Sequence, residues 1–194
     1  MKKQPRDKII SLPNNHLRQR SRKVGLISEE VVKIIEDMKA ATLNWEDSRE
    51  HEVGVALSAV QIDKLYKLFI IRNDFDDKNN RDFAVFINPE ITKLDGVITE
   101  DFEGCLSVKD IYGRVPRYEK IRIKAMNEKG QEFRMTANGF LARVLQHEID
   151  HVNGKLFIDH IKDKPNAFFT LEPDGQLKEL NYEKDIKKSS ILWQ

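Results

Sequence analysis

Gln146-His147-Glu148-Ile149-Asp150-His151-Val152-Asn153-Gly154 is the stretch on which the reading of this chain turns. It contains H-E-x-x-H. Two histidines four positions apart lie one turn apart on the same face of a helix, so both imidazoles can reach one metal ion. The glutamate between them can address a water on that ion as general base. The neighbouring residues predict the helix independently, because Phe140, Leu141, Val144, Leu145, Ile149 and Val152 recur at spacings of three and four. Asn138 suits the N-cap position, and Gly154 falls where a left-handed residue ends helices. The competing reading is a histidine pair on an ordinary amphipathic helix. The motif alone does not separate the two, so the rest of the chain must supply a third ligand and a substrate site.

A chain of 194 residues suits one domain with a sizeable core, and 40% apolar with 34% charged residues is normal for a soluble globular protein. A net charge of +1 argues against nucleic acid or a membrane as the main target. A single cysteine forbids an internal disulfide and fits a reducing compartment, where a thiolate survives. No apolar run reaches the roughly eighteen residues of a membrane-spanning helix. The start is basic, with Lys2, Lys3, Arg6, Lys8, Arg18, Arg20, Arg22 and Lys23 against Asp7. A transit peptide can look like this, but an ordered arm is the preferred reading.

Ser28-Glu29-Glu30 reads as a helix start, and Val31, Ile34, Ile35, Met38 and Ala41 trace a core-facing stripe to about Leu43. Residues 44–52, including Trp45 and His51, read as a solvated charged loop. Gly54-Val55-Ala56-Leu57-Ser58-Ala59-Val60-Gln61 is small enough for another backbone to approach closely, or for a tightly packed core turn. Residues 67–72 and 83–87 read as strands. Asn88-Pro89 marks a turn, and residues 90–100 suggest a hairpin turning near Asp95-Gly96. Residues 118–127 and 130–137 read as a hairpin buried on one face. Leu156-Phe157-Ile158 is a short strand or a helix exit. Residues 168–172 begin a last hairpin at Pro173-Asp174-Gly175, and Ile191-Leu192-Trp193 can dock on the body. The sum is α+β: one domain over residues 1–194, with antiparallel sheets around a central metal-binding helix.

Glu103-Gly104-Cys105-Leu106-Ser107 holds the only thiol. A lone cysteine is most often a small buried apolar residue. Beside H-E-x-x-H it can instead be a thiolate ligand in a catalytic site with an open position, or the nucleophile of a Cys–His pair. The nucleophile reading leaves the second histidine and the adjacent glutamate without a role.

With these pieces placed, the chain resembles the peptide deformylases. G-φ-G-φ-A-A-x-Q (φ apolar) corresponds to residues 54–61, E-G-C-φ-S to residues 103–107, and Q-H-E-x-D-H-x-x-G matches residues 146–154 in full. Leu12-Pro13, Leu17-Arg18, Ser21 and Val24 resemble the family's opening, and residues 115–120 are similar too. The resemblance runs over about residues 9–161, leaving 162–194 as a C-terminal hairpin and tail. It implies that Cys105, His147 and His151 bind one divalent metal per chain, Fe²⁺ in the cell with Zn²⁺, Ni²⁺ or Co²⁺ able to substitute. Glu148 would be general base and then acid. Gln61 and the Leu106 N–H would receive the developing oxyanion. The substrate would be the formyl group on the N-terminal methionine of a newly made protein.

Val55, Ala56, Gly104, Phe140 and Val144 are the candidate substrate surface, with residues 54–57 as an edge for an extended peptide. Plain core packing is the bland reading of Val144 and Phe140. Glu103, Arg117 and Asp150 are candidate supports of the ligands. A monomeric, cytoplasmic, bacterial-type enzyme is expected, an organellar origin being the alternative, with nascent chains and the ribosome near its exit as partners. Ala56 replaces the second family glycine and Ser58 the first alanine. The tail after Lys162 does not read as the long amphipathic helix of one common subtype. A zinc endopeptidase and a peptide-binding protein without turnover are the rival classes; the intact Cys105, Gln61, His147, Glu148 and His151 argue against the latter.

Overall fold

The computed structural model describes residues 9–48, 52–172 and 174–193. Lys2, Lys3, Arg6, Asp7 and Lys8 of the basic start, His51 and Pro173 lie outside them.

Seven strands form one antiparallel sheet: β1 (Ala56–Ser58), β2 (Leu68–Arg72), β3 (Phe83–Cys105), β4 (Val108–Met126), β5 (Glu132–Asn138), β6 (Phe168–Leu171) and β7 (Leu177–Glu179). The order is β1-β2-β3-β4-β6-β7, and β5 pairs with β4. Helix α1 (Glu29–Asp47) and helix α2 (Gly139–Val152) lie on opposite faces of its first three strands. The alternation of β2 shows how. Leu68 and Ile70 pack with Val31, Ile34, Ile35 and Met38 of α1, while Phe69 and Ile71 pack with Val144, Leu145 and Ile149 of α2. A strand covered on both faces has every position buried, as β2 does, and its sequence reads as an unbroken apolar run. α2 begins after Asn138 and ends before Gly154, whose φ is +76°.

The hairpin expected near Asp95-Gly96 is not there. β3 runs on through it and pairs with β4 from Ile87 to Cys105. Its register slips between Ile87 and Glu90, between Ile91 and Lys93, and between Asp95 and Ile98. Asn88 (φ 51°) and Gly96 (φ 75°) take left-handed conformations there. The residues that favour tight turns are the ones that favour bulges, which re-aim a strand without ending it. Asn88 also uses its bulge, since its side-chain amide exchanges hydrogen bonds of 2.8 Å with Val24 N–H and Val24 O of the arm.

The loop expected over residues 44–52 is also partly wrong. α1 continues to Asp47, and Trp45 and Glu46 belong to it. Glu46 is buried and ion-paired with Arg72, which is itself fully buried. The pair organises the approach to β1. Glu46 Oε2 accepts from Gly54 N–H at 2.8 Å, and Arg72 Nε donates to Gly54 O at 3.2 Å. A Cβ on Gly54 would stand 2.4 Å from Thr42 Cγ2, so this close approach needs glycine. Leu156-Phe157-Ile158 is neither strand nor helix exit; Phe157–His160 is a 3-10 turn.

The described part of the arm is ordered. Ile10 N–H donates to Gln61 O at 2.8 Å, Leu12 N–H to Ser107 O at 2.9 Å, and Ser21 N–H to Val152 O at 3.1 Å. The C-terminal tail docks as well, with Leu192 buried in a third core beside Phe157, Ile161 and Phe168.

Removing one member of a buried ion pair leaves the other charge unmatched, at a cost of about 3–5 kcal/mol. Glu46→Ala should therefore lower the urea-unfolding free energy by about that amount. A loss under about 1 kcal/mol would mean that Arg72 finds water or another partner.

Candidate metal centre

Two elements deliver the donor atoms. β3 ends at Cys105, and α2 presents His147 and His151 one turn apart, with ring centroids at 4.9 Å. Cys105 Sγ lies 3.2 Å from His151 Nε2, and the ligand atoms of Cys105, His147 and His151 all lie within 4.8 Å of one another. A cation bonding nitrogen at about 2.0–2.1 Å and sulfur at about 2.3 Å can reach three donors spaced like this. One thiolate and two imidazoles suit a divalent transition metal and leave room for a further ligand.

The surroundings prepare the donors. His147 Nδ1 is 3.0 Å from Glu103 Oε2, which leaves Nε2 as the donor. His151 Nδ1 is buried with no hydrogen-bond partner among the described residues, so that ring is anchored by packing and by whatever its Nε2 meets. From the protein's own charges, burial would raise the Cys105 thiol, but His151 and His147 facing it outweigh burial and bring it to about 6. A thiol so placed is a thiolate at neutral pH, as a metal ligand must be. Burial likewise disfavours the charged form of His147, yet its hydrogen bonds with Cys105 and Glu103 hold it well above the ordinary imidazole value.

Glu103 is buried and held on several sides. Arg117 grips it with Nε on Oε1 at 2.9 Å and Nη2 on Oε2 at 3.0 Å, and Arg143 Nη1 reaches Oε1 at 2.9 Å. Burial would raise this carboxyl, but the hydrogen bonds from His147 and Arg117 hold it well below the usual carboxylate range. Arg117 Nη1 goes on to Asp150 Oδ2 at 2.5 Å, where His160 Nε2 also arrives at 2.7 Å. Burial raises the Asp150 carboxyl, and His160 and Arg117 more than reverse it.

Gln61 and Glu148 are linked through Ser58, which hydrogen-bonds to both. Ser58-Ala59-Val60-Gln61 opens the 3-10 turn Ala59–Ile62, and Gln61 Oε1 folds back to accept from Ser58 N–H at 2.9 Å. Its Nε2 then donates to Ser107 Oγ at 3.1 Å and lies 3.7 Å from Cys105 Sγ. Leu106 occupies the turn just after Cys105. Glu148 is buried, and its Oε2 accepts from Ser58 Oγ at 2.5 Å.

The substrate candidates are less uniform. Val55 and Ala56 lie at the start of β1, which pairs with β2 on one side only. Ala56 sits in the strand and needs no positive φ. Val144 is buried in the core that Val55 also touches, whereas Phe140 is 53% exposed and meets Phe75 edge-on at 5.2 Å. Gly104 is exposed beside Cys105, and a Cβ there would stand 2.8 Å from the Tyr112 ring.

Sequence reasoning missed three supports. Arg143, four residues before His147 and so on its face, donates to Glu103, to Val115 O at 2.7 Å and to Thr99 O at 2.9 Å. Gln146 clamps both backbone polar groups of Tyr118, at 3.1 and 2.8 Å. Ser58 reaches Glu148. A charged or amide side chain inside an apolar helical stripe was the available signal for the first two.

A family profile described as polypeptide deformylase matches residues 6–167. The peptide deformylase of Blochmanniella pennsylvanica (strain BPEN) is 39% identical over 153 residues, 79% of this chain and 82% of that protein. The crystal structure of a peptide deformylase from Legionella pneumophila aligns with a TM-score of 0.70 at 38% identity, covering 79% of this chain and 84% of that one. One from Synechococcus elongatus in complex with actinonin aligns at 0.71 and 31% identity, covering 81% and 80%.

Residues that orient a ligating histidine typically change metal affinity by roughly 10–100-fold. Glu103→Ala should weaken Co²⁺ binding within that range in a chelator competition, while Cys105→Ala should abolish stoichiometric binding. Unchanged affinity in Glu103→Ala would show that His147 keeps its orientation without the carboxylate.

Proposed function

The chain belongs to the peptide deformylase family and removes the formyl group from the N-terminal methionine of newly made proteins; we propose that it does so with the residues gathered around Cys105. Cys105, His147 and His151 hold one divalent metal, Fe²⁺ in the cell, with Zn²⁺, Ni²⁺ or Co²⁺ able to replace it. When bound, the metal supplies Lewis-acid activation of water and of the formyl carbonyl.

Glu148 takes the proton of the attacking water and gives it to the leaving amine. Gln61 Nε2 and the Leu106 N–H donate to the carbonyl oxygen as negative charge develops on it, each well-placed donor contributing about 3–4 kcal/mol. The Ser58 N–H fixes Gln61 Oε1 and thereby aims Nε2 inward. Glu103 sets His147, and Arg117 with Asp150 sets Glu103. An extended peptide adds along residues 54–57, on the side of β1 away from β2, and Val55, Ala56, Gly104, Phe140 and Val144 line the place of the methionine. A formyl carbon bears only hydrogen, so a tight site rejects bulkier acyl groups.

We read residues 1–194 as one catalytic domain, because β6 pairs with β4 and the tail packs beneath it. We assign it to the cytoplasm as a monomer that meets its substrates as they leave the ribosome. Among the described residues no helix is long and apolar enough to cross a membrane.

The observation that carries this reading is the convergence of the three ligand atoms within 4.8 Å, beside Gln61. The iron- or nickel-loaded protein should release formate from formyl-Met-Ala-Ser and no acetate from the acetyl peptide. Equal rates on both would sink the deformylase reading. Glu148→Ala keeps all three ligands, so it should retain metal while kcat falls by roughly 10²–10⁴-fold. Full metal with near-wild-type kcat would assign the proton transfer to another group.

A further inference from the structure

The hydroxyl of Ser58, unlike its backbone N–H, takes no part in the steps above. Ser58 is fully buried at the end of β1, with its Oγ 2.5 Å from Glu148 Oε2 and 3.3 Å from Glu148 O. Ser58 is in N-cap position before the Ala59–Ile62 turn, and its hydroxyl reaches across the fold to a residue 90 away in sequence.

We propose that Ser58 is a positioning residue for Glu148, a partner that holds the general base in register; this rests on the deformylase reading given above. Ser58 donates a hydrogen bond to Oε2, and Oε1 is left to meet water. Glu148 O lies within reach of the same hydroxyl, so Ser58 can turn between the two oxygens without leaving Glu148. A hydroxyl can do this because it is one donor and two acceptors on a rotating bond.

No bond to Ser58 forms or breaks. The proton travels from water to Glu148 to the departing amine, and the serine ends with the proton it began with. Because the backbone N–H of the same residue also fixes Gln61, one residue registers the proton carrier and the oxyanion donor against each other.

The test uses Ser58→Ala, Glu148→Gln and the double variant, each as the nickel-loaded full chain. The family motif carries alanine at position 58, so the fold accepts Ser58→Ala, and urea unfolding checks this directly. Losing a hydrogen bond to a charged group corresponds to roughly tenfold or somewhat more. Ser58→Ala is expected to lower kcat by roughly tenfold, with KM, metal content and the unfolding midpoint unchanged. In the Glu148→Gln background the same substitution is expected to cost almost nothing, because the partner it serves is gone. An unchanged kcat in Ser58→Ala overturns the proposal. So does an equal loss in both backgrounds, which would place the effect outside Glu148, and so does a rise in KM alone. If Glu148→Gln alone keeps wild-type kcat, the failure lies with the general-base assignment, and the proposal falls with it.

Discussion

A carboxylate buried without partners does not stay ionised, and an ionised one must be met by charge and by hydrogen-bond donors. Glu103 is such a group, and the site depends on how it is met. The guanidinium of Arg117 presents two parallel donors that match both carboxylate oxygens, which a lysine could not do. Arg143 fills a further lone pair from α2, and His147 takes the remaining one. Three elements, β3, β4 and α2, are thus pinned at one point. The orientation of His147 follows from that point, and the place of the Cys105 sulfur follows from the strand that carries Glu103 two residues earlier. The same network reaches outward through Arg117 to Asp150 and His160. The donor triangle is a property of this network as much as of the three donors.

Much of this was legible in the chain because it is local. Helix α2 announces itself by an apolar period, a preceding asparagine and a following glycine. The two histidines share a face because four residues make about one turn, and no tertiary information is needed to say so. β2, α1 and the β4–β5 hairpin follow from equally local patterns, and the family motifs led to Cys105, Gln61 and Glu103. What stayed hidden depends on partners remote in sequence. Asp95-Gly96 is chemically a turn, and only the continuous pairing with β4 makes it a bulge. Glu46 reads as one more acid in a charged run until Arg72, 26 residues on, is placed against it. Ser58 and Arg143 are likewise ordinary residues until the fold brings Glu148 to one and Glu103 to the other.

The sheet's first three strands lie between two helices, and this arrangement explains why the site's small residues cluster where they do. Ala59, Leu57 and Ile70 face α1, and Ile71 and Phe69 face α2, so β1 is wedged at the seam with little room for bulk. Gly54 meets Thr42 there, and Ser58 touches the second helix. A short strand with one open edge is a poor stabiliser of a sheet but a good place to receive an extended chain, since its unpaired backbone groups are presented rather than spent.

The described part of the N-terminal arm bonds to each of the three motif segments, Ile10 at Gln61, Leu12 at Ser107 and Ser21 at Val152, while Arg18 holds Asp159 and Leu192 O. The last of these contacts joins residues 174 apart. Contacts between residues so far apart in sequence raise the contact order, which slows folding. The arm can settle fully only once Gln61, Ser107 and Val152 have been brought together, so its order reports on the assembly of the site.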